Sequence, residues 1–484
     1  MNLGQTSVVY LVSRIVATAF GFLSTIYLAR ILGADVLGDY YLVVGLVAWL
    51  SIVGNIGFSK AISKRISEGV EQGEFVAAGV FIIGTMFTLI TFTLVVARPY
   101  VNDYIGLEAT VYVVFVLFAT LANSTMSSIL TGLGLVHIDG VLGTVKTAGR
   151  SLFQIGAVLL GLKLAGLFIG YLAGYLVAIA IALYFVMRGL DRFSLPSRRH
   201  FESLTDFAKF SWIGSLRSKM FSFTDILVLG FFVPSSLIGI YSIAWNISEF
   251  LIIFSTAIST TLFPKMSELS AKEGNDAVRN LVEDSLAYAG LFLIPGIVGG
   301  AILGRRILRI YGQEFTQGAI ILIILIVANF IMSYQNQILN TLDAINRPDL
   351  SFRVNGAFAV ANVALNVALI PEFSWVGAAV ATTLSVAISL ILGYYYLNTV
   401  MTFSIPYAEF TRQWAAALIM GAVVYQGLRM ERSSDLISQN FIVVLVLVGL
   451  GASVYFAVYF LLSARFQRTV SDNLPFDVPM LPKL

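Results

Sequence analysis

The 484-residue sequence contains no cysteine and only two histidines, His137 and His200. The chain therefore cannot form disulfides, bind an iron–sulfur cluster through thiolates or use a cysteine nucleophile, and two isolated histidines cannot build a His-rich metal or haem site. The sequence also lacks the G-x-x-x-x-G-K-[ST] phosphate loop, so ATP hydrolysis by this chain in the usual way is not expected. We predict no catalytic residue, no metal and no cofactor, and we do not expect an enzyme.

Charged residues are scarce as well. They make up 12% of the chain against 58% hydrophobic residues, and the mean hydropathy is +0.87. A soluble protein cannot place so much apolar side chain on its surface or in its core. No basic tail is present that would bind a nucleic acid. The apolar runs are continuous and do not alternate, which predicts transmembrane helices and not a β-barrel.

These runs predict an all-α polytopic membrane protein with about fourteen transmembrane helices. We predict two six-helix lobes related by an internal repeat, followed by two helices that lie outside the repeat. The predicted helices cover residues 5–32, 37–58, 75–97, 110–134, 140–162, 166–187, 205–232, 236–263, 282–303, 316–342, 351–370, 375–399, 407–428 and 440–463. The predicted domains are the N-lobe at 1–188, a cytoplasmic linker at 189–204, the C-lobe at 205–400, and the last two helices with a C-terminal tail at 401–484.

A glycine–tyrosine motif supports the internal repeat. In both copies a long apolar segment ends at a Leu-Gly pair, and a short connection leads to Gly-x-Tyr. The matching segments are Leu32-Gly33 with Leu229-Gly230, Gly38-Asp39-Tyr40 with Gly239-Ile240-Tyr241, Ile129-Leu130-Thr131 with Ile338-Leu339-Asn340, and Gly166 with Gly377. Their separation stays at about 200 to 210 residues, which is what a duplication leaves in a sequence.

Basic residues near the predicted helix ends give the orientation, because the cytoplasmic side of a membrane protein carries the excess of Lys and Arg. The residues on one side are Lys60, Lys64, Arg65, Arg192, Arg198, Arg199, Lys265, Lys272, Arg279, Arg465 and Arg468. We therefore predict a multi-pass protein of the cell (cytoplasmic) membrane with both termini in the cytoplasm. Arg305, Arg306 and Arg309 are an exception, since they fall on the predicted outer side.

Ionisable residues inside the predicted spans mark the candidate site, because each costs at least ~2.5 kcal/mol at a helix centre and usually faces protein or water. Lys146 and Arg150 are four residues apart and share one helical face. A cavity between the lobes would be flanked by Arg14 and Arg217, which precede the repeated motif by similar distances. The candidate cavity residues are Arg14, Lys146, Arg150, Arg217, Lys219 and Arg353, with Asp225 and Glu249 as acidic counterparts. In the alternative interpretation, these cations pair with the two carboxylates or with helix-end carbonyls, or extend to the membrane interface.

Two stretches carry a family resemblance, SRIVATAFGFLSTIYLARILGADVLGDYYLVVGLVAWLSIVGNIGFSKAISKRIS at 13–67 and FTDILVLGFFVPSSLIGIYSIAWNISEF at 223–250. They resemble the polysaccharide-exporter branch of the MOP transporter superfamily, which contains the flippases of lipid-linked saccharides. The resemblance extends over nearly the whole chain in helix number, linker position and the repeated Gly-x-Tyr.

This resemblance implies a V-shaped pair of six-helix lobes that work by alternating access around a central cavity. The cavity is cationic in members whose cargo carries a phosphate or pyrophosphate on a polyprenol or dolichol. Members serve bacterial O-antigen, capsule and peptidoglycan export, and in archaea they move dolichol-phosphate sugars, including dolichol phosphate-mannose, for protein N-glycosylation. The implied partners are a polyprenyl- or dolichyl-phosphate-linked saccharide, membrane lipids and glycosyltransferases of the same pathway.

Two other functions remain open at this stage. The first is a cation-coupled multidrug or small-molecule exporter of the same superfamily, which should carry acidic residues in its lobes, whereas the intramembrane charges here are mainly basic. The second is a membrane glycosyltransferase or a polymerase of the saccharide pathway. That activity would need a large loop with carboxylates, and no such loop is predicted.

Overall fold

The computed structural model describes the backbone of residues 3–190, 194–211, 213–434 and 439–473, and the side chains of residues 20–190, 194–209, 223–431 and 439–471. Within these ranges the regular structure is helical, and no β-strand occurs. The chain packs as two compact units, residues 1–239 and 240–484. The domain boundaries given by the sequence remain predictions.

The first unit contains nine helices among the described residues, together with the first turn of the tenth. These are α1 (Leu3–Asn55), α2 (Phe58–Ser67), α3 (Gln72–Val96), α4 (Arg98–Ile105), α5 (Thr110–Gly132), α6 (Val136–Leu159), α7 (Lys163–Gly189), α8 (Arg198–Ser211), α9 (Ile213–Phe232) and α10 (Ser235–Phe250). The short helix α8 occupies part of the predicted linker. Its buried face includes Leu204 and Ala208, so α8 is an amphipathic helix that packs on α2 and α3.

The second unit is helical in the same way. Its α-helices after α10 are α11 (Ile253–Glu273), α12 (Arg279–Ala289), α13 (Leu293–Arg309), α14 (Ala319–Ala344), α15 (Pro348–Val400), α16 (Tyr407–Ser434), α17 (Asn440–Leu462) and α18 (Ala464–Asn473). Short 3-10 turns at Asn275–Val278 and Glu314–Gly318 precede α12 and α14.

Two long helices are broken where the sequence predicts a change of span. In α1 the break is at Gly33, whose φ of 81° and ψ of 174° are not helical. In α15 it is at Ser374, with φ 53° and ψ −142°, three residues after Pro371. A left-handed φ at Gly33 is tolerated because glycine has no Cβ atom. The breaks divide α1 and α15 into two apolar segments each, at the positions where the sequence predicts that one helix ends and the next begins.

Eight helical segments in the described part of the chain are long and apolar enough to cross a membrane. A ninth results if α10 and α11, which are bent by 46° relative to each other, form one span. The prediction of an all-α polytopic membrane protein is confirmed. The number of fourteen spans stays a prediction.

The two copies of the repeated motif meet at one end of the first unit. Gly38, after the break in α1, lies against the backbone carbonyl of Ser235 at the start of α10. Gly239 in turn lies against the carbonyl of Ala34. A Cβ atom at either glycine would overlap with that backbone, so both glycines permit close helix contact. The first glycines of the two Gly-x-Tyr copies, Gly38 and Gly239, thus lie close together.

A candidate cation and tyrosine site in the first unit

Close packing of α6 on α7 builds the candidate site. Gly170 and Gly174 of α7 lie against the backbone of Gln154 and Arg150 of α6, respectively. Small residues allow two helix backbones to approach each other in this way. The close approach brings the long side chains of α6 alongside the tyrosines of α7.

Arg150 lies within a group of aromatic rings. Its guanidinium carbon is 5.9 Å from the centroid of the Tyr171 ring. Its Nε atom is buried and has no hydrogen-bond partner among the described residues. A cation over an aromatic face contributes about 0.5–1 kcal/mol when exposed and about 2 kcal/mol or more when it is desolvated. The aromatic ring therefore stabilises the cation in part, while the Nε–H donor stays without a hydrogen-bond acceptor among the described residues.

Lys146 lies one turn before Arg150 on the same face of α6. Its Nζ atom is 5.2 Å from the centroid of the Tyr175 ring. Among the residues whose side chains are described, neither Lys146 nor Arg150 forms an ion pair with a carboxylate. The sequence placed these two cations on one face, and the structure keeps them together.

The tyrosines form a hydrogen-bonded network around the cations. The Tyr171 hydroxyl donates to the Tyr175 hydroxyl at 2.8 Å, and the two rings stack with centroids 4.3 Å apart. Thr120 of α5 lies 3.2 Å from the Tyr171 hydroxyl. Gln154 donates to the Tyr40 hydroxyl at 3.2 Å and to the Leu167 carbonyl at 2.9 Å. Helices α1, α5, α6 and α7 are thereby linked around the site.

A cavity of about 200 Å³ continues from Lys146 toward the turn between α5 and α6. Its polar lining comes from α5 and α6, and small or apolar residues complete it. The lining residues are Asn123, Met126, Ser127, Leu130, Asp139, Gly140, Leu142, Gly143, Lys146, Ala178, Ile179 and Ala182. Asp139 lies near the end of the unit where α2 packs on α5 and α8 packs on α2. That end carries Lys60, Lys64 and Arg198 and is the predicted cytoplasmic side.

The other predicted site residues are placed differently. Arg14, Arg217 and Lys219 lie outside the residues whose side chains the structure describes. Asp225 is buried in α9, with 2% of its surface exposed. Glu249 lies on the surface of the last turn of α10, and its carboxylate is hydrogen-bonded to the Trp245 side chain. Arg353 is exposed in the second turn of α15. Their role as substrate-binding residues stays a prediction.

Sequence reasoning missed the tyrosines and the polar cavity lining. One signal was available: Tyr171 and Tyr175 are four residues apart, as are Lys146 and Arg150, so each pair lies on one helical face. Whether the cation face of α6 contacts the tyrosine face of α7 depends on how the two helices pack. The spacing of residues within one helix does not determine this contact.

One of the three arginines that are predicted to lie on the outer side, Arg306, has a structural role in the second unit. Arg306 of α13 and Glu431 of α16 form an ion pair at 2.6 Å, with 17% and 16% of their side chains exposed. Asn440 donates to the Arg306 carbonyl at 2.9 Å. This arginine therefore joins α13 to the last two long helices.

Comparison with known proteins assigns the family. The model of a family described as "Polysaccharide biosynthesis protein" matches residues 3–270, and the MatE model matches residues 212–368. The chain is 29% identical to the "Probable flippase AglR" of Haloferax volcanii over 98% of both proteins. It is also 29% identical to the "Probable low-salt glycan biosynthesis flippase Agl15" of the same organism, over 88% of this chain and 90% of the relative.

A solved structure of the lipid II flippase MurJ in an inward closed conformation has the same fold. Its TM-score is 0.75 with 17% identity, over 96% of this chain and 99% of that one. The family model spans more than half of the sequence, and the relatives are aligned over most of their lengths. The chain therefore belongs to the polysaccharide biosynthesis protein family.

Proposed function

We propose that the protein is a flippase that moves a polyprenyl- or dolichyl-(pyro)phosphate-linked saccharide across the cytoplasmic membrane. The cargo would serve surface polysaccharide synthesis or protein N-glycosylation, with dolichol phosphate-mannose as the candidate in an archaeon. The observation that carries the proposal is the pair of cations, Lys146 and Arg150, held by tyrosines beside a polar cavity without a carboxylate ion-pair partner among the described residues. The similarity to two proteins named as probable flippases supports it.

An anionic phosphate suits this site for a physical reason. A buried cation is costly unless it is paired, and a phosphate supplies the missing negative charge together with hydrogen-bond acceptors. The planar guanidinium of Arg150 can bind two phosphate oxygens at once, whereas Lys146 acts as a compact point charge. The positive charge of these two side chains therefore favours the binding of an anionic group.

A multidrug exporter of the same superfamily is the second candidate. The MatE model match to residues 212–368 favours it. An exporter of cationic drugs would need carboxylates where this unit places Lys146 and Arg150. The acid that lines the cavity, Asp139, lies about two turns away from Lys146 on α6. The basic character of the site thus supports an anionic cargo.

The proposal includes a non-enzymatic mechanism. Alternating access of two repeated lobes would expose the site first to the cytoplasm and then to the outside, with both termini cytoplasmic. Energy would come from a gradient or from a partner, because the sequence has no phosphate loop. Glycosyltransferases of the same pathway are the proposed suppliers of the cargo.

The test compares Lys146→Gln and Arg150→Gln with Arg188→Gln. Arg188 also lies over a tyrosine ring, 4.8 Å from the centroid of Tyr184, but it is exposed at the end of α7. We expect the first two variants to lose most of the delivered surface glycan at unchanged membrane abundance, and the Arg188 variant to keep it. Full glycan delivery by Arg150→Gln would contradict the proposal.

A further inference from the structure

We propose that the cavity beside Lys146 is a saccharide subsite, which binds a single sugar ring of the cargo while Lys146 and Arg150 hold its phosphate. This inference rests on the proposed function and adds to it the place where the sugar is recognised. The cavity lies entirely within the first unit, between α5, α6 and α7.

The polar groups of the cavity lack protein partners. Asn123, Ser127 and Asp139 make no side-chain hydrogen bond or ion pair with any described residue, although all three line the cavity and are partly buried. Partly buried polar groups that are left without a protein partner have to be satisfied by water or by a ligand. An amide, a hydroxyl and a carboxylate together provide donors and acceptors, which is the combination that a ring of hydroxyl groups requires.

The size of the cavity limits what it can hold. Its volume of about 200 Å³ is below the range of about 300–1,000 Å³ that is usual for sites of drug-sized ligands. A single sugar ring is a small, compact group with many hydroxyls, whereas a polyprenyl chain is long and apolar. The polar lining therefore excludes the lipid tail and favours the sugar.

Asp139 lies at the end of the cavity that is farther from Arg150. A carboxylate repels a phosphate but accepts hydrogen bonds from sugar hydroxyls. Along α6, four residues follow one another on one face, from the acid to the half-buried arginine: Asp139, Gly143, Lys146 and Arg150. This gradient matches a cargo with its neutral sugar at the Asp139 end and its phosphate at the Arg150 end.

Gly143 offers a way to close the subsite without touching its polar groups. A Cβ atom at Gly143 would meet no other atom within 4 Å, so a larger side chain has room to extend into the cavity. Gly156 on the same helix is equally open and does not line the cavity, and it is the matched control. Both glycines have helical φ values, so isoleucine at either one is compatible with the backbone.

The experiment measures lipids bound to the protein. The full chain is produced in its own host and isolated in native membrane discs, and the lipid-linked saccharides that copurify are quantified by mass spectrometry. Sugar-free polyprenyl phosphate is then added to separate discs, and its binding is measured. The variants are Gly143→Ile, the double variant Asn123→Ala with Asp139→Ala, Gly156→Ile and Arg150→Gln.

We expect Gly143→Ile and the double variant to retain about a tenth or less of the saccharide-bearing lipid that the wild type retains. In Gly143→Ile the isoleucine side chain occupies the space of the sugar, and in the double variant the hydrogen bonds to the sugar are lost. Both should still bind polyprenyl phosphate like wild type. Gly156→Ile should match wild type for both lipids, and Arg150→Gln should lose both.

Two results would overturn the inference while leaving the flippase intact: unchanged saccharide retention in Gly143→Ile and in the double variant, or an equal fall in both lipids. Failure of the proposed function looks different. In that case wild-type discs would hold no more of either lipid than discs of an unrelated membrane protein. The double variant keeps the test decisive if Gly143→Ile does not fold.

Discussion

Gly174 of α7 packs directly on the backbone of Arg150 in α6, so close that a Cβ atom at position 174 would overlap with the N and Cα atoms of Arg150. The first prediction follows from this contact. Gly174→Ala should lower the free energy of unfolding by about 1–3 kcal/mol, the usual cost of overpacking. Gly156→Ala should be neutral or slightly stabilising, because that position is open and alanine favours helix. Melting temperatures of the purified proteins check both, and equal melting temperatures would show that α6 and α7 are farther apart.

The second prediction concerns a latch between α8 and the turn before α3. The Ser197 N–H donates to Nδ1 of His200 at 3.0 Å, so Nε2 carries a proton and donates to Glu71 at 3.1 Å. His200 is buried, with 5% of its surface exposed. His200→Ala should remove the hydrogen bonds that hold the start of α8 to Glu71. Trypsin cleavage after Arg198 or Arg199 should then become about tenfold faster, because the start of α8 opens more often.

The matched control for the latch is Asp206→Asn. It removes an exposed ion pair with Lys209 at 2.8 Å, and exposed pairs contribute about 0–1 kcal/mol. Its cleavage rate should equal that of wild type. A His200→Ala protein that is cleaved no faster than the control would mean that the packing of α8, and not the latch, protects the segment.

The third prediction concerns Glu409, a buried carboxylate at the start of α16. It accepts hydrogen bonds from the Tyr459 hydroxyl at 2.8 Å and from the Ser463 hydroxyl at 2.7 Å, and it also pairs with Arg412. Glu409→Leu should destabilise the protein by at least roughly 1.5–3 kcal/mol, since hydrogen bonds to a charged group are lost and two hydroxyls stay buried. Thermal unfolding measures the effect. Glu268→Gln, which removes an exposed pair with Lys272, should change little; equal effects would contradict the prediction.

The fourth prediction tests the orientation, and the absence of native cysteine makes it direct. Single cysteines at Ser67, Ser197 and Ser434 are labelled with a membrane-impermeant maleimide on intact cells. Only the cysteine at Ser434 should react, because the other two lie beside the basic residues of the predicted cytoplasmic side. Labelling of the cysteines at Ser67 and Ser197 from outside would invert the topology.

The fifth prediction concerns Arg14 and Arg217. Arg14→Ala and Arg217→Ala should each strongly reduce delivery of the lipid-linked sugar at normal membrane abundance, and Arg→Lys should restore only part of it, because lysine cannot bind two phosphate oxygens at once. Surface glycan and membrane abundance are measured together. If Arg217 only pairs with Asp225, the double variant Arg217→Ala with Asp225→Ala should recover delivery better than the arginine variant alone, which would argue against a cavity role.

Much of the architecture follows from local sequence. The sequence predicts that the first helix, 5–32, ends before Gly33, and α1 breaks at that glycine because only glycine adopts its backbone angles without strain. The position of Lys146 and Arg150 on one face of α6 also follows from local sequence, because residues four apart in a helix lie on the same face. The long apolar runs predict membrane spans, and these spans are helical because unpaired backbone groups are too costly in lipid.

The arrangement of the candidate site could be seen only in the packed structure. Periodicity gave the cation face of α6 and the tyrosine face of α7 separately, but their contact depends on Gly170 and Gly174, which allow one backbone to approach the other. The partnerless polar groups around Gly143 likewise become visible only when α5, α6 and α7 enclose a common volume. Composition and spacing thus determined a helical membrane protein and its candidate charges. The tertiary structure decided which of these charges lie against tyrosine rings and which of them lines a cavity. Contacts between helices are set by shape complementarity across distant parts of the chain and not by the order of residues within one helix.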